Sequence, residues 1–220
     1  MKRILYIAAF FSLFTFHFSP SSAQRIRGFV SAGATLSQIE GDELKGFRKL
    51  GFTGGVGAIV SLDKKEIWHL SVEALFSQRG SYNNTGDPYS IALPLNYVDI
   101  PLMVHYHDKW GGMLAGAGLV YSRLVQQPHD VMQYNPAYFV PDTTNMKFLN
   151  NDLAVVADIR FPVWKNLWLN LRWQYSIIAV KRDWQFTEYI GVDTEGNPKP
   201  KRWKNDCYNN SLMMRVIWEF

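Results

Sequence analysis

Eight ionisable residues carry what chemistry this chain could do. Glu73, Asp99, Asp158 and Glu219 stand on the same side of an alternating pattern as Arg79, Arg160, Arg172 and Arg215. Charges gathered away from water persist only when they are paired. The set therefore predicts a salt-bridged polar interior, with a gated ion or proton path as its alternative use. Arg172 and Arg215 fall near the middles of their segments, which calls for a carboxylate such as Glu73 or Asp158 between them. Five histidines are a weaker lead. His17 belongs to the leading apolar run, His105 and His107 are two apart, and His69 and His129 are remote in sequence. None has a metal-ligand spacing, so neither a metal nor a cofactor is expected.

The elements that must position these residues are strands, because apolar residues recur at period two. The first is expected at 28–38, with Val30, Ala32, Ala34 and Leu36 opposite Ser31, Gly33, Thr35 and Ser37. Others follow at 51–62, 67–79, 96–107, 113–122, 152–161 and 167–178, and the last at 208–220. The third sets Trp68, Leu70, Val72, Ala74 and Phe76 against His69, Ser71, Glu73, Ser77 and Arg79. The Gly- and Ala-rich fifth leaves its two faces ambiguous. Pro101 removes a ladder donor from the fourth and predicts a bulge or local bend there. Eight strands of this length suit the smallest common transmembrane barrel, whose interior is filled by side chains and leaves no open pore.

Connection lengths give an independent test. The links at 63–66, 108–112 and 162–166 are short, whereas those at 39–50, 80–95, 123–151 and 179–207 are long, and the two kinds alternate. An outer-membrane barrel has short periplasmic turns and long outside loops. Trp68, Tyr106, Trp110, Trp164, Trp168, Trp218 and Phe220 lie near strand ends, where an interfacial girdle is expected. The loops hold Tyr82, Asn83, Asn84, His129, Tyr134 to Tyr138, Trp184 to Tyr189, Lys199, Lys201, Arg202 and Trp203. Exposed aromatics with mixed charge suit a surface protein or glycan partner as well as ordinary loop packing.

The two ends of the chain agree with this reading. Lys2 and Arg3 precede an apolar run to Phe18 and the small residues Ser21, Ser22 and Ala23, which predicts a cleaved signal over 1–23 and a barrel domain over 24–220. The run is about fifteen residues, short of the roughly twenty that a spanning helix needs. At the other end Leu212, Met214, Val216, Trp218 and Phe220 share one face. Trp218 and Phe220 are expected to act as the signal read by the barrel-insertion machinery. Aromatics make up 15% of the 220 residues and the net charge is +4, mild enough to argue against nucleic acid. A mean hydropathy of −0.14 fits a barrel whose lipid-facing and lumen-facing residues alternate. Cys207 is the only cysteine, so no internal disulfide can form.

Beyond alternation, particular stretches carry a likeness. Gly33 in the first strand, Ser71-Val72-Glu73-Ala74-Leu75-Phe76-Ser77-Gln78-Arg79-Gly80, Tyr97-Val98-Asp99-Ile100-Pro101-Leu102, Ala115-Gly116-Ala117-Gly118 and the closing strand resemble the PorT-type outer-membrane β-barrel proteins of Bacteroidetes. The resemblance covers essentially the whole chain after the signal. It implies an outer-membrane barrel, and it carries an accessory part in type IX protein secretion as an alternative.

The expectation is thus an all-β, eight-stranded antiparallel up-and-down transmembrane β-barrel in the cell outer membrane. It would be a monomer without enzymatic activity, surrounded by outer-membrane lipid and serving a structural or surface-binding role through its long loops. Two further alternatives belong to other classes. A lipid-modifying barrel enzyme would place His and Ser near the outer leaflet, whereas the strand-borne histidines here fall at the other end. A soluble barrel carrying a small apolar ligand would have apolar residues inside and polar ones outside.

Overall fold

The computed structural model describes residues 26–44, 46–83, 91–127, 139–141, 147–192 and 197–220. The expected signal segment lies outside them, as do Asn84, His129 and Tyr134 to Tyr138. Ten strands are present: β1 (Ile26–Glu40), β2 (Lys49–Ser61), β3 (Trp68–Asn83), β4 (Ile91–His107), β5 (Leu114–Gln126), β6 (Phe139–Pro141), β7 (Asn151–Trp164), β8 (Leu167–Ser176), β9 (Lys181–Val192) and β10 (Pro198–Glu219). Eight of them form the barrel in the order β1-β2-β3-β4-β5-β7-β8-β10. Closure comes from antiparallel pairing of β1 with β10, running from Phe29↔Glu219 to Glu40↔Tyr208. Every pairing is antiparallel, as expected for successive strands joined by hairpins.

Period-two patterning explains which face is which. In β10, Leu212, Met214, Val216 and Trp218 are exposed, whereas Ser211, Met213, Arg215, Ile217 and Glu219 are buried. The same holds in β3, where Val72 and Phe76 face out and Ser71, Glu73, Ser77 and Arg79 face in. The ambiguous β5 resolves with Leu114, Val120, Ser122 and Leu124 inside and Leu119 and Tyr121 outside. This outward apolar belt surrounds a charged interior, the inverse of a soluble carrier barrel.

The short turns are built by side-chain acceptors. Asp63 Oδ1 accepts from the backbone N–H groups of Trp68 and Ile67 at 2.8 and 2.9 Å. Those bonds hold its carboxyl below the usual range. Asp108 Oδ2 accepts from Gly111 N at 2.8 Å, and Gly112 supplies the positive φ (66°) that brings the chain into β5.

At the long-loop end the structure corrects the sequence reading. The stretches 123–151 and 179–207, expected as loops, contain β6, β9 and the outer half of β10, which form a three-stranded extension beyond the barrel. Several barrel strands also run further out than expected: β3 reaches Asn83 and β4 begins at Ile91. The lysines and prolines of 198–204 mask strand patterning, but Trp203 pairs across from Phe186 and Asn205 from Trp184. Aromatic cross-strand pairs supply the stabilisation that the local sequence lacks. At the other end β7 continues to Trp164 with an irregularity after Pro162, so the turn is shorter than the 162–166 expected.

Pro101 makes no bulge. The β3–β4 ladder omits the pairs between Val72↔Leu102 and Leu75↔Asp99 but keeps one register on both sides. Its missing N–H interrupts the ladder without inserting a residue.

Apolar side chains close the lumen at both ends. Ile39, Leu93, Leu95, Tyr97, Leu124, Phe148, Val180, Trp184, Phe186 and Cys207 form a buried cluster under the outer extension. Phe29, Ile59, Leu114, Trp168 and Ile217 form another at the short-turn end. Trp168 therefore belongs inside the barrel and not to the girdle, because its position on β8 has lumen-facing parity. Trp68, Tyr106, Trp110, Trp164, Trp218 and Phe220 are all exposed.

Candidate functional site

Between the two apolar clusters the lumen holds the charged residues, which divide into an inner tier, an outer tier and a rim pair. Glu73 on β3 is the hub of the inner tier. Arg172 Nη2 donates to its Oε1 at 2.6 Å, Arg215 Nη1 to its Oε2 at 2.8 Å and Arg160 Nη2 to its Oε1 at 3.0 Å. Asp158 on β7 accepts from Arg172 at 2.8 Å and lies 4.0 Å from Arg215. Both carboxylates thus stand between Arg172 and Arg215, and all five side chains are fully buried. Asn170 Oδ1 accepts from Arg215 Nη2 at 2.7 Å, completing that guanidinium's partners.

The outer tier centres on Arg79, which donates to Asp99 and stands 3.7 Å from Asp152. Ser77 Oγ also donates to Asp99. The Arg79 guanidinium lies 4.6 Å over the Tyr97 ring, a desolvated cation–π contact. Ser176 Oγ and Asn209 Nδ2 donate to Asp152 Oδ2 at 2.7 and 3.2 Å, and Asn209 Nδ2 is also 3.1 Å from the Tyr97 hydroxyl. Tyr97 reaches into the outer apolar cluster, so this tier is tied to the cap above it. Glu219 joins neither tier. It pairs with Arg27 at 3.0 Å at the β1–β10 seam.

One grouping has the order of a hydrolytic triad. Ser71 Oγ lies 2.8 Å from His105 Nε2, and His105 Nδ1 lies 3.4 Å from Asp158 Oδ1. Reaction would need a substrate beside the serine. Ser71, His105 and Asp158 are all buried, however, and Asp158 is already committed to Arg172. The trio acts as a strut that fixes His105 against the inner tier. His69 and His105 both face the lumen and not the lipid. Among the described residues no group of three or more His, Cys, Asp or Glu could hold a metal ion.

The expected site residues are thus all interior but not one network. The alternation puts Ser71, Ser77, His105, Asn170 and Ser176 on the lumen-side face without joining them to the charges, and it leaves out Arg27, Asp152 and Asn209. Asp152 and Asn209 sit at lumen-facing positions that strict parity would have found. Arg27 is half exposed at the rim and carries no such signal.

The outer rim is more accessible. Glu40 Oε2 accepts from the Tyr175 hydroxyl at 2.9 Å and Glu40 Oε1 from Asn210 Nδ2 at 2.8 Å. Trp173 Nε1 donates to Asn210 Oδ1 at 3.0 Å, and the Tyr175 and Tyr208 rings stack at 6.4 Å. This row of aromatics and amides marks the outer membrane–water boundary of the belt. Beyond it, Arg182, Lys199, Lys201, Arg202 and Lys204 are exposed on the extension, and Trp203 and Asn205 both donate to Glu43 Oε1.

No family model and no curated protein matches the chain. Among solved structures it is similar in outline to Neisserial surface protein A, at 13% identity and a TM-score of 0.46, over 88% of this chain and 97% of that one. Ail, the attachment invasion locus protein of Yersinia pestis, aligns at 13% identity and a TM-score of 0.44, over 88% and 98%. The outer membrane protein OprG from Pseudomonas aeruginosa aligns at 16% identity and a TM-score of 0.41, over 90% and 98%.

Proposed function

We propose that this chain is an integral outer-membrane β-barrel with a structural or surface-binding role, presented through its long-loop end and not through a pore. One observation carries the reading: an apolar belt faces outward around a charged lumen that apolar side chains close at both ends. Burying the belt in lipid removes apolar surface from water, and barrel closure leaves no strand edge unpaired in hydrocarbon. The partner is a surface protein or glycan met by the outer extension, and the protein works as a monomer without catalytic activity. Residues 1–23 are removed on export, and 24–220 form the barrel. Trp218 and Phe220, both outward-facing, are the residues offered to the insertion machinery. The stretches around Glu73 and Asp99 support kinship with the PorT-type barrels of Bacteroidetes.

The test is fractionation of expressing cells with electrophoresis of boiled and unboiled samples. The protein is expected in the outer-membrane fraction with a heat-dependent mobility shift. A soluble protein without a shift would overturn the reading.

A further inference from the structure

The inner tier has one positive charge over. Three guanidiniums, Arg160, Arg172 and Arg215, face two carboxylates, Glu73 and Asp158, and no ion pair within 4.0 Å joins them to the outer tier. At the rim Arg27 pairs with Glu219 Oε2, while Glu219 Oε1, opposite Phe29 in the β1–β10 pairing, is buried without a described partner. His105 faces Asp158 and Arg160 and adds no negative charge. The outer tier has the opposite excess, two aspartates on one arginine. The two imbalances are not equivalent, because a pair of carboxyl groups can take up a proton whereas a guanidinium cannot lose one. The two excesses cancel over the lumen as a whole, and the inner one is the one that a bound anion would meet in place.

Two of the buried donors without a described partner stand on neighbouring strands at the short-turn half of the lumen. Arg160 is fully buried, and its Nη1 and Nε donate to no described residue, with Nε 3.8 Å from Asp158. Its guanidinium lies 5.1 Å over the Phe29 ring. Trp168, in the cluster that contains Phe29, has a buried indole N–H that also donates to nothing described. Buried donors of this kind are nearly always satisfied.

We propose that the short-turn half of the lumen binds a small monovalent anion of the halide class, held by Arg160 and the indole N–H of Trp168. The aromatic and aliphatic walls of Phe29, Ile59, Leu114 and Ile217 favour a weakly hydrated ion over sulfate or phosphate. The anion neutralises the inner tier and locks β7 and β8 against β1.

The experiment follows the temperature at which the unboiled gel form converts to the boiled form, with sodium gluconate replaced stepwise by sodium bromide or chloride at constant ionic strength. The native protein is expected to gain several degrees, saturating with halide. Trp168→Phe keeps the ring but removes the N–H. It should need roughly ten times more bromide for half the gain, the cost of one hydrogen bond to a charged group. A conversion temperature indifferent to halide overturns the site, and so does a Trp168→Phe protein that titrates like the native one. Should the variant fail to fold, the native titration alone decides. The inference rests on the closed-barrel reading, whose own failure is distinct: no mobility shift in any salt.

Discussion

Glu73 holds three arginines at hydrogen-bonding distance inside a sealed lumen. Removing one partner of a buried ion pair strands the others without neutralisation, at a cost of about 3–5 kcal/mol. Glu73→Gln keeps shape and volume but leaves Asp158 alone against Arg160, Arg172 and Arg215. It is expected to lower the conversion temperature sharply, measured by the gel shift. At the long-loop end Asp42 is buried, accepts from Leu44 N at 2.8 Å and has the Ser81 side chain as a further hydrogen-bonding neighbour. Burial pushes its carboxyl up from 3.8 to about 6. The folded loop then binds more protons than the unfolded one between these values, so its stability falls as pH rises through that window and levels off above it. Hydrogen exchange of residues 41–44 should slow at pH 4.5 relative to pH 7 after correction for intrinsic rates. In Asp42→Asn that pH dependence should vanish.

At the level of the strand, an introduced arginine is expected to have unequal consequences on β8 of the barrel and on β9 of the outer extension. Leu171 faces outward on β8, and Leu171→Arg puts a charge into the lipid belt at a cost of about 2–4 kcal/mol near the midplane. Thr187 on β9 stands beyond the barrel on the outer extension, where Thr187→Arg is expected to stay within about 0.5 kcal/mol of the native protein. Refolding equilibria in lipid vesicles over a denaturant series would measure both. Equal effects would mean that the belt does not contact lipid. Gly80 shows a different constraint on an element. With φ at 129° and the Leu93 carbonyl where a Cβ would stand, it lets β3 and β4 cross closely below the cap.

For the whole molecule, function depends on what is closed and what is open. The apolar clusters at the two ends separate the charged tiers from water, and a file of ions has no wet path between them. Planar-bilayer recordings of the purified protein are therefore expected to show no steady ohmic steps. A sustained conductance would mean that the outer cap opens and would revive the gated-path reading. The cap also buries Cys207, whose thiol is pushed up to about 12 by burial. A thiol reagent should leave it unmodified in the folded barrel and label it once the protein is unfolded.

The sequence by itself determined the eight barrel strands, the faces of all but the Gly- and Ala-rich fifth, and the alternation of short and long connections. A two-residue period is local, and it is imposed directly by lipid on one side and lumen on the other. It also determined that Glu73, Asp99, Asp158 and Glu219 share an interior with four arginines. Tertiary structure decided who pairs with whom. Arg79 and Asp99 separate from Glu73, and Glu219 goes to Arg27, because strand register and shear set the height of each side chain in the lumen, and parity alone carries no height. Parity already turned Trp168 inward, but only the fold set it among Phe29 and Ile217. The outer extension was legible least of all. Its strands hold together through aromatic pairs distant in sequence, such as Trp203 against Phe186, and a cluster gathered from six segments of chain has no local pattern to read.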